Sequence, residues 1–176
     1  MLKLWIVGAS GQIGSAINEV FNTDKEELDI TDTDEVLNFG VINRPDVIIN
    51  CAAVTDTDLC EKEPELAYRV NALGARNLSI VARKTGAKMV QISTDDVFDG
   101  IRHTPYTEFD DTNPKTVYGR SKRAGENYVK EFTHKHFILR SNWVYGNGNN
   151  FVNRILHAAD TKDELLIASD QFGSPT

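Results

Sequence analysis

The sequence predicts an α/β fold in which helices flank a doubly wound parallel sheet. Short apolar runs rich in β-branched residues alternate along the 176 residues with segments of helical period. No internal repeat, low-complexity tract or interdomain linker divides the chain, so we expect residues 1–176 to form one domain. Ligands of such a sheet bind beyond the carboxyl ends of its strands, and functional residues are expected there.

Six segments have the composition of buried, parallel strands. Helical periodicity predicts one helix with Pro64 in its first turn and Gly86 at its end, and another over Val117–Phe132. One face of the first of these helices carries Leu66, Val70, Leu73, Asn77 and Val81. The strand candidates are Leu4–Val7, Glu19–Thr23, Val47–Ile49, Lys88–Ile92, His136–Leu139 and Leu165–Ala168.

The element after the first strand has little room. From Gly14 to Asp24 the chain advances by ten residues, into which a helix, a turn and the strand Glu19–Thr23 must fit. Either the helix is reduced to barely one turn, or a short stretch is absent from the sequence.

The composition excludes several classes of protein. Nineteen Lys and Arg against 26 Asp and Glu give a net charge of −7, so no basic surface is expected for a nucleic acid. The longest nearly apolar stretch, Val47–Val54, is far shorter than the roughly 20 residues that cross a bilayer. The amino end lacks the pattern of a secretory signal, and we expect a cytoplasmic protein with reduced Cys51 and Cys60 and no metal site.

A glycine-rich run follows the first strand directly. Gly8, Gly11 and Gly14 form the pattern G-x-x-G-x-x-G at the start of the next element. Such glycines permit a tight turn and let backbone N–H groups approach a pyrophosphate, and the dipole of the following helix favours an anion. The run therefore predicts a Rossmann-like dinucleotide-binding fold, with a purely structural turn as the alternative.

An acidic residue after the second strand would bind the adenosine ribose and disfavour a 2′-phosphate. Asp24 is the better candidate by strand geometry, whereas Asp29 is better by its spacing of roughly 20 residues from the first glycine. A solvated acidic turn is the alternative for both. Because Lys25 could offset the repulsion of a phosphate, we expect both NADPH and NADH to be accepted.

Tyr118 and Lys122 are four residues apart, which places them on one face of the predicted helix. A nearby ammonium favours the phenolate, so we expect Lys122 to pull the pKa of Tyr118 from about 10 toward neutrality. The strand Lys88–Ile92 delivers Ser93 and Thr94 at its carboxyl end, where a hydroxyl could bond the same substrate oxygen as the phenol. A surface tyrosine beside a cation, and turn or cap hydroxyls, are the alternatives.

The glycine loop, the strand-end hydroxyl and the Tyr118–Lys122 pair occur in this order in the extended short-chain dehydrogenase/reductase family, which the sequence resembles. Further segments resemble the dTDP-4-dehydrorhamnose reductases, a branch of that family, over the whole chain. These segments are 50–53, 70–72, 93–100, 140–146, 148–151 and 170–176.

The resemblance implies reduction of the 4-keto sugar of dTDP-4-dehydro-L-rhamnose by hydride from NADPH or NADH. It implies that Tyr118 protonates the sugar oxygen, that Thr94 holds this oxygen, and that Lys122 lowers the tyrosine pKa and binds the nicotinamide ribose. The cofactor contacts, including Gly14 and Asp24 from the arguments above, are Gly8, Gly11, Gln12, Ile13, Gly14, Asp24, Asp29, Ile30, Ala52, Ala53, Tyr118 and Lys122. The implied substrate contacts are Thr55, Thr94, Trp143 and Asn150.

The sequence departs from the family pattern at three places besides the short first helix. Asp96 stands where the family usually carries tyrosine, which adds a carboxylate near the site. The family continues for about another hundred residues that build a substrate subdomain, which this chain does not contain. Ala16 falls near a position associated with magnesium in the family, so no metal is carried over.

Two further functions remain as alternatives. One is a catalytically silent regulatory subunit on the same fold, similar to the regulatory subunit of methionine adenosyltransferase. The other is a nucleotide-sugar epimerase or dehydratase, for which Asp95 and Asp96 would supply acid/base groups. Core packing of Trp143 and a turn role of Asn150 are the alternatives to substrate binding, and a homodimer is a further expectation.

Overall fold

The structure, a computed structural model, describes residues 2–17, 21–146, 148, 150–171 and 173–176. Its strands form one parallel sheet of order β2-β1-β3-β4-β5, in which the direction of strand addition reverses at β1. The predicted doubly wound fold is confirmed. The strands are β1 (Leu4–Val7), β2 (Asn22–Thr23), β3 (Val47–Asn50), β4 (Lys88–Thr94) and β5 (His136–Ser141).

The strand predicted over Leu165–Ala168 is wrong, because this segment forms no ladder with any described strand. Its side chains are not buried, and Leu166 is 96% exposed. An apolar run becomes a strand only when a neighbouring strand satisfies its backbone, and among the described residues β5 pairs with β4 alone. The exposed Phe137 and Leu139 lie on that edge strand.

The crossover from β1 to β2 contains no α-helix in its described part. A single 3₁₀ turn, Gly14–Ala16, takes the place of the first helix, in agreement with the reduced helix that the spacing predicts. Of the predicted strand Glu19–Thr23, only Asn22–Thr23 pairs with β1, and Glu19 and Val20 lie outside the described residues.

Longer helices fill the later crossovers, and one further helix follows β5. They are α1 (Thr33–Asn43), α2 (Thr57–Lys62), α3 (Pro64–Tyr68), α4 (Ala75–Thr85), α5 (Val117–Phe132) and α6 (Phe151–Ala159). A π-helical turn, Arg69–Gly74, joins α3 to α4, and Gly86 ends this run in a left-handed conformation as predicted. The wider turn shifts the buried face, so Ala67, Ala72 and Leu78 are buried where Leu66, Val70 and Leu73 are only half-buried.

The main core lies between one face of the sheet and the helices α1, α4 and α5. Trp5, Ile48 and Met89 stand side by side on β1, β3 and β4 and pack against Leu78 of α4 and Val129 of α5. Burial of each such side chain contributes about 1.5–3 kcal/mol. This packing holds the carboxyl ends of all the strands at one edge of the sheet, and the polar residues lie there. Within the part of the chain described, every helix is too short or too polar to cross a membrane.

Candidate active site

The glycine-rich run lies at the carboxyl end of β1, at the point where the strand order reverses. Gly8 has a φ of +77°, and a Cβ atom on it would lie 2.7 Å from both the backbone nitrogen and the Cα of Ala52. A Cβ on Gly14 would overlap the carbonyl oxygen of Gly8. Both positions require glycine, and the loop backbone therefore packs directly against the segment that follows β3.

A cleft of about 360 Å³ opens between this loop, the end of β2 and the segment after β3. We call it the glycine cleft. The predicted cofactor residues that line it are Gly8, Gly11, Asp24, Asp29, Ile30, Ala52 and Ala53. Sequence reasoning did not predict Arg69 or Val70 as ligand contacts, and both line the cleft from the start of the π-helical turn.

Five predicted cofactor residues are not in the lining of the glycine cleft: Gln12, Ile13 and Gly14 of the loop, and Tyr118 and Lys122 of α5, which are described below. Gly14 is buried behind the loop, and Ile13 precedes the 3₁₀ turn. The side-chain amide of Gln12 donates to the carbonyl of Val144 at 3.0 Å. Gln12 thus joins the glycine loop to the segment that follows β5.

The two acidic candidates have different partners. The Asp24 carboxylate accepts hydrogen bonds from the backbone N–H of Ser10, at 3.0 and 3.1 Å, and from the Ser10 hydroxyl at 3.0 Å. Asp29 accepts a hydrogen bond from the N–H of Thr31 at 2.8 Å, which holds the pKa of its carboxyl below the usual value. Asp24 therefore braces the glycine loop, whereas Asp29 braces only its own turn.

A second group of polar residues, which we call the tyrosine cluster, comprises Thr94, Asp95, Asp96, Tyr118 and Lys122. Thr94 ends β4, where its hydroxyl accepts from the N–H of Asp96 at 3.2 Å and lies 3.2 Å from a carboxylate oxygen of Asp95. Tyr118 lies in the first turn of α5, which Thr116 caps by accepting from the N–H of Gly119 at 2.9 Å. The helix approaches closely because a Cβ on Gly119 would overlap the carbonyl oxygen of Asp96.

The expectation that Lys122 lowers the pKa of Tyr118 is wrong in this structure. Burial raises the pKa of Tyr118 to about 12, with the neighbouring Thr94 hydroxyl opposing and the charges of Asp96 and Asp95 adding to the shift. The Lys122 ammonium instead donates to the carbonyl of Ile92 at 2.7 Å. Desolvation therefore dominates, and Tyr118 is a neutral phenol over the physiological pH range.

Lys122 is itself almost completely buried, and burial lowers its pKa from 10.5 to about 8. The charge of the Glu126 carboxylate opposes this shift, and Cys51 has a smaller effect in the same direction. Because Cys51 also lines the glycine cleft, Lys122 stands where the cleft and the tyrosine cluster adjoin. Burial likewise raises the pKa of both Asp95 and Asp96. The cluster therefore places beside the phenol two carboxyl groups that ionise less readily than usual.

The predicted substrate residues outside the cluster have unequal surroundings. Thr55 is exposed at the start of the segment that leads into α2, and Trp143 is 43% exposed with a positive φ of 41°. Asn150 is buried, accepts from the N–H of Asn153 at 3.0 Å and donates to the carbonyl of Gly146 at 2.8 Å. Trp143 is thus open to a ligand, whereas the Asn150 amide is already used to cap α6.

Comparisons with known proteins show the family of this chain. The family model described as the RmlD substrate binding domain matches residues 2–176. The chain belongs to this family. It is 42% identical to the spore coat polysaccharide biosynthesis protein SpsK of Bacillus subtilis (strain 168), over 100% of this chain and 65% of that protein. It is 40% identical to a dTDP-4-dehydrorhamnose reductase of Aggregatibacter actinomycetemcomitans, over 100% of this chain and 63% of that protein.

Two solved structures of RmlD-type proteins superpose closely. A dTDP-4-dehydrorhamnose reductase from Clostridium acetobutylicum has a TM-score of 0.95 at 46% identity, covering 99% of this chain and 65% of that one. The dTDP-4-dehydrorhamnose reductase from Bacillus anthracis in complex with NADP has a TM-score of 0.95 at 44% identity, covering 100% and 66%. This RmlD-family chain thus spans slightly less than two thirds of the length of these relatives.

Sequence reasoning assigned no role to two buried polar residues that connect elements of the site, although Asn71 lies in the segment 70–72 that carries part of the family resemblance. Asn71, in the π-helical turn, pairs its amide with the N–H and carbonyl of Val54 at 2.8 and 3.0 Å and donates to Ser121 at 2.9 Å. Glu126 follows Lys122 by one helical turn and is fully buried. The available signal was the spacing of Tyr118, Lys122 and Glu126 at intervals of four residues. This spacing places the Glu126 carboxylate on the helix face that points toward the sheet and not toward solvent.

Proposed function

We propose that this protein reduces dTDP-4-dehydro-L-rhamnose to dTDP-L-rhamnose, with NADPH or NADH as the hydride donor. The observation that carries the proposal is the convergence of Thr94 and Tyr118 at the end of β4, next to a glycine cleft at the reversal of the strand order. The names of the relatives support the choice of substrate, and the relative solved with NADP supports the choice of cofactor.

The residues of the glycine cleft fit a dinucleotide. Gly8 and Gly11 have no side chain to obstruct the loop, so a pyrophosphate can approach the backbone N–H groups as it does in Rossmann folds. Asp24 or Asp29 would bind the adenosine ribose at the rim of the cleft. Arg69 and Lys25 line the same rim, and their charges favour a 2′-phosphate where the two carboxylates oppose it.

The tyrosine cluster suits the chemistry of ketone reduction. A bound reduced nicotinamide supplies a hydride to the carbonyl carbon. Tyr118 donates its proton to the carbonyl oxygen, which becomes the hydroxyl of the product, while the Thr94 hydroxyl holds that oxygen by a hydrogen bond. The raised pKa of Tyr118 keeps the phenol protonated and therefore ready to act as the acid in this direction.

Lys122 is poised to bind the nicotinamide ribose. Its ammonium lies beside Cys51 of the glycine cleft and is one helical turn from Tyr118. With a pKa of about 8 it is mostly charged near neutral pH, and it loses its charge in mildly alkaline solution. We infer that Thr55 and Trp143 contact the nucleotide sugar, and that Asn150 contributes by capping α6 near Trp143.

The setting of the protein follows from its cofactor. We place it in the cytoplasm, where nicotinamide dinucleotides and nucleotide sugars occur and where Cys51 and Cys60, which are not bonded to each other, stay reduced. We further propose that a substrate subdomain completes the site in the whole protein and that the protein forms a homodimer. Analytical ultracentrifugation of the full-length protein tests the homodimer, and a single monomeric species contradicts it.

The activity is tested by steady-state oxidation of NADPH and NADH in the presence and absence of dTDP-4-dehydro-L-rhamnose, with the product identified by mass spectrometry. We expect oxidation that depends on the keto sugar, and formation of dTDP-L-rhamnose. NADPH binding without turnover would favour the regulatory-subunit alternative. Conversion of a nucleotide sugar without net NADPH oxidation would favour an epimerase or dehydratase, for which the carboxyl groups of Asp95 and Asp96 stand beside the phenol.

A further inference from the structure

A buried ionic network lies beneath the tyrosine cluster. Glu126 of α5 is completely buried and binds groups from two strands and its own helix. Its carboxylate accepts from the Ser93 hydroxyl at 2.7 Å, from Nε and Nη2 of Arg140 at 2.9 and 2.7 Å, and from Arg123 at 3.0 Å. Such a network is costly to bury, and its energy alone does not explain why a chain keeps it.

Glu126 contacts the sheet at one pair of neighbouring residues, which we call a rung. Ser93 of β4 and Arg140 of β5 are paired in the strand register, and the next rung is Thr94 with Ser141. Glu126 therefore binds β4 and β5 at the pair of residues that immediately precedes Thr94 and Ser141. A shift of this rung would move Thr94 by a comparable distance.

The same carboxylate is part of the helix that carries the phenol. Tyr118, Lys122 and Glu126 lie at intervals of four residues along α5, so they follow one another on one face. Near Tyr118 the helix touches the loop after β4 through the bare backbone of Gly119. Glu126 supplies the polar contact with the end of β4 two turns further along.

We propose that Glu126 is a positioning residue, which holds the Ser93–Arg140 rung against α5 and so sets the Thr94 hydroxyl against the Tyr118 phenol. This inference rests on the proposed reduction. Misplacement of reacting groups by about 1 Å can cost up to 10²-fold in rate, so a contact outside the site can govern turnover. Glu126 itself touches neither substrate nor cofactor.

Glu126 has a second effect, on the charge of Lys122. The groups that face the Lys122 ammonium are the Glu126 carboxylate, the Cys51 thiol and the Ile92 carbonyl. The carboxylate raises the pKa of Lys122 against the effect of burial. The carboxylate stays ionised because Arg140, Ser93 and Arg123 hold its own pKa low, and Lys130 also faces it from the next turn of α5. Loss of Glu126 should therefore discharge Lys122 at a lower pH.

The first test uses two matched serine variants of the full-length protein. Ser93→Ala removes the bond from β4 to Glu126, and Ser79→Ala removes a similarly buried hydroxyl that donates to Ala75 at 2.7 Å within α4. We expect Ser93→Ala to lower kcat about tenfold with the NADPH dissociation constant unchanged. Ser79→Ala should keep the parent kcat at a comparable loss of thermal stability. Equal kcat in the two variants overturns the proposal.

The second test replaces the network by apolar groups in the variant Ser93→Ala/Glu126→Met/Arg140→Met. Apolar replacement of a buried ion pair is often neutral for stability. The guanidinium of Arg140 lies over the ring of Phe98 at 4.9 Å, and a methionine side chain in its place can keep a contact with that ring. We expect a folded protein with kcat reduced at least about tenfold. NADPH affinity, measured by fluorescence titration, should fall at a lower pH than in the parent.

These readouts separate the inference from the proposed function. A parent protein that neither binds NADPH nor reduces the keto sugar would contradict the proposed function itself. An active parent together with a triple variant of unchanged kcat and unchanged pH dependence of NADPH binding would show that Glu126 serves stability alone. If the triple variant does not fold, the comparison of Ser93→Ala with Ser79→Ala decides.

Discussion

The glycine cleft and the tyrosine cluster adjoin at the same edge of the sheet, yet they are built from opposite kinds of residue. The cleft is formed by residues with small side chains or none. Gly8 and Gly14 have no room for a Cβ, and Ala52 and Ala53 form the wall of the cleft. The cluster is formed by polar groups whose burial costs free energy of folding. Lys122 is the most buried charged group of the cluster, and Glu126, which lies beneath the cluster, is completely buried. Binding is thus provided by an accessible backbone, and chemistry by charges held away from water.

This contrast predicts that mutations in the two regions affect different measurements. Changes in the glycine cleft should weaken cofactor binding and folding together, because the same backbone serves both. Changes in the tyrosine cluster should reduce turnover while they leave folding intact or even improve it, because buried charge opposes stability.

The largest effect is expected for Tyr118→Phe in the full-length protein. The substitution removes the proton donor and keeps the ring, and loss of general acid catalysis costs about 10²–10⁴-fold in rate. Steady-state reduction of the keto sugar should fall by this factor while the NADPH dissociation constant stays the same. A variant as active as the parent would show that Tyr118 is only a structural residue.

The next effect is expected for Gly8→Ala, compared with Gly86→Ala. Both glycines have nearly the same φ, +77° and +79°, but a Cβ on Gly8 would meet the backbone of Ala52 whereas Gly86 has nothing within 4 Å. Backbone strain should cost about 1–2 kcal/mol at both sites, and the clash about 1–3 kcal/mol more at Gly8 alone. Denaturant unfolding and NADPH titration measure the difference. Equal stability and affinity in the two variants would refute the close contact.

Lys122→Met should separate stability from function. Burial lowers the pKa of Lys122 from the ordinary 10.5 to about 8. Below pH 8 the folded protein therefore contains a buried charged amine, which destabilises it. The parent therefore gains stability relative to the variant as the pH rises from about 8 to 10.5, where the unfolded chain binds more protons. Near neutral pH we expect the variant to be about 1–3 kcal/mol more stable yet to bind NADPH weakly.

The control for this prediction is Lys135→Met. Lys135 also donates to a carbonyl, that of Gly86 at 3.2 Å, but it lies on the surface. Its replacement should leave the stability at neutral pH and the affinity for NADPH close to those of the parent. A destabilised Lys122→Met protein at neutral pH would mean that the bond to Ile92 outweighs the cost of burial.

The smallest effect concerns the choice between cofactors. Asp24→Asn and Asp29→Asn each remove one negative charge from the rim of the glycine cleft, where Arg69 and Lys25 remain. Replacing the carboxylate that binds the ribose should weaken NADH binding several-fold and change NADPH binding little, since asparagine keeps an acceptor oxygen and loses only part of the roughly 1.5–3 kcal/mol that a hydrogen bond to a charged group contributes. The bond from Ser10 to Asp24 predicts that Asp24→Asn also loosens the loop. If both variants have the same cofactor preference as the parent protein, neither Asp24 nor Asp29 binds the ribose.

Much of the fold could be predicted because its signals are local. The runs Leu4–Val7, Val47–Ile49 and Lys88–Ile92 are strands, and Val117–Phe132 is α5 with the bounds that the sequence suggests. Leu165–Ala168 has the same composition, but whether an apolar run pairs depends on a neighbour that its own residues do not encode. The π-helical turn after Tyr68 likewise contains Asn71, whose hydrogen bonds to Val54 join distant segments and cannot be predicted from the local sequence.

The structure brings most of the predicted site residues to the carboxyl ends of the strands, whereas their electrostatics could not be predicted from the sequence. The spacing of Tyr118 and Lys122 gives their common helix face but not their burial, and burial decides the pKa of each. The partners of Glu126 come from β4 and β5, so the sequence of α5 alone could not show that this carboxylate is paired.

The most direct test of the proposed reduction is the transfer of a label from NADPH to the sugar. The full-length protein is incubated with dTDP-4-dehydro-L-rhamnose and NADPH that carries deuterium at the reactive position of the nicotinamide, and the product is analysed by mass spectrometry and NMR. We expect dTDP-L-rhamnose with deuterium on the carbon of the former carbonyl, and almost none when Tyr118→Phe is used for the same time. A sugar product without deuterium would contradict hydride transfer at this site.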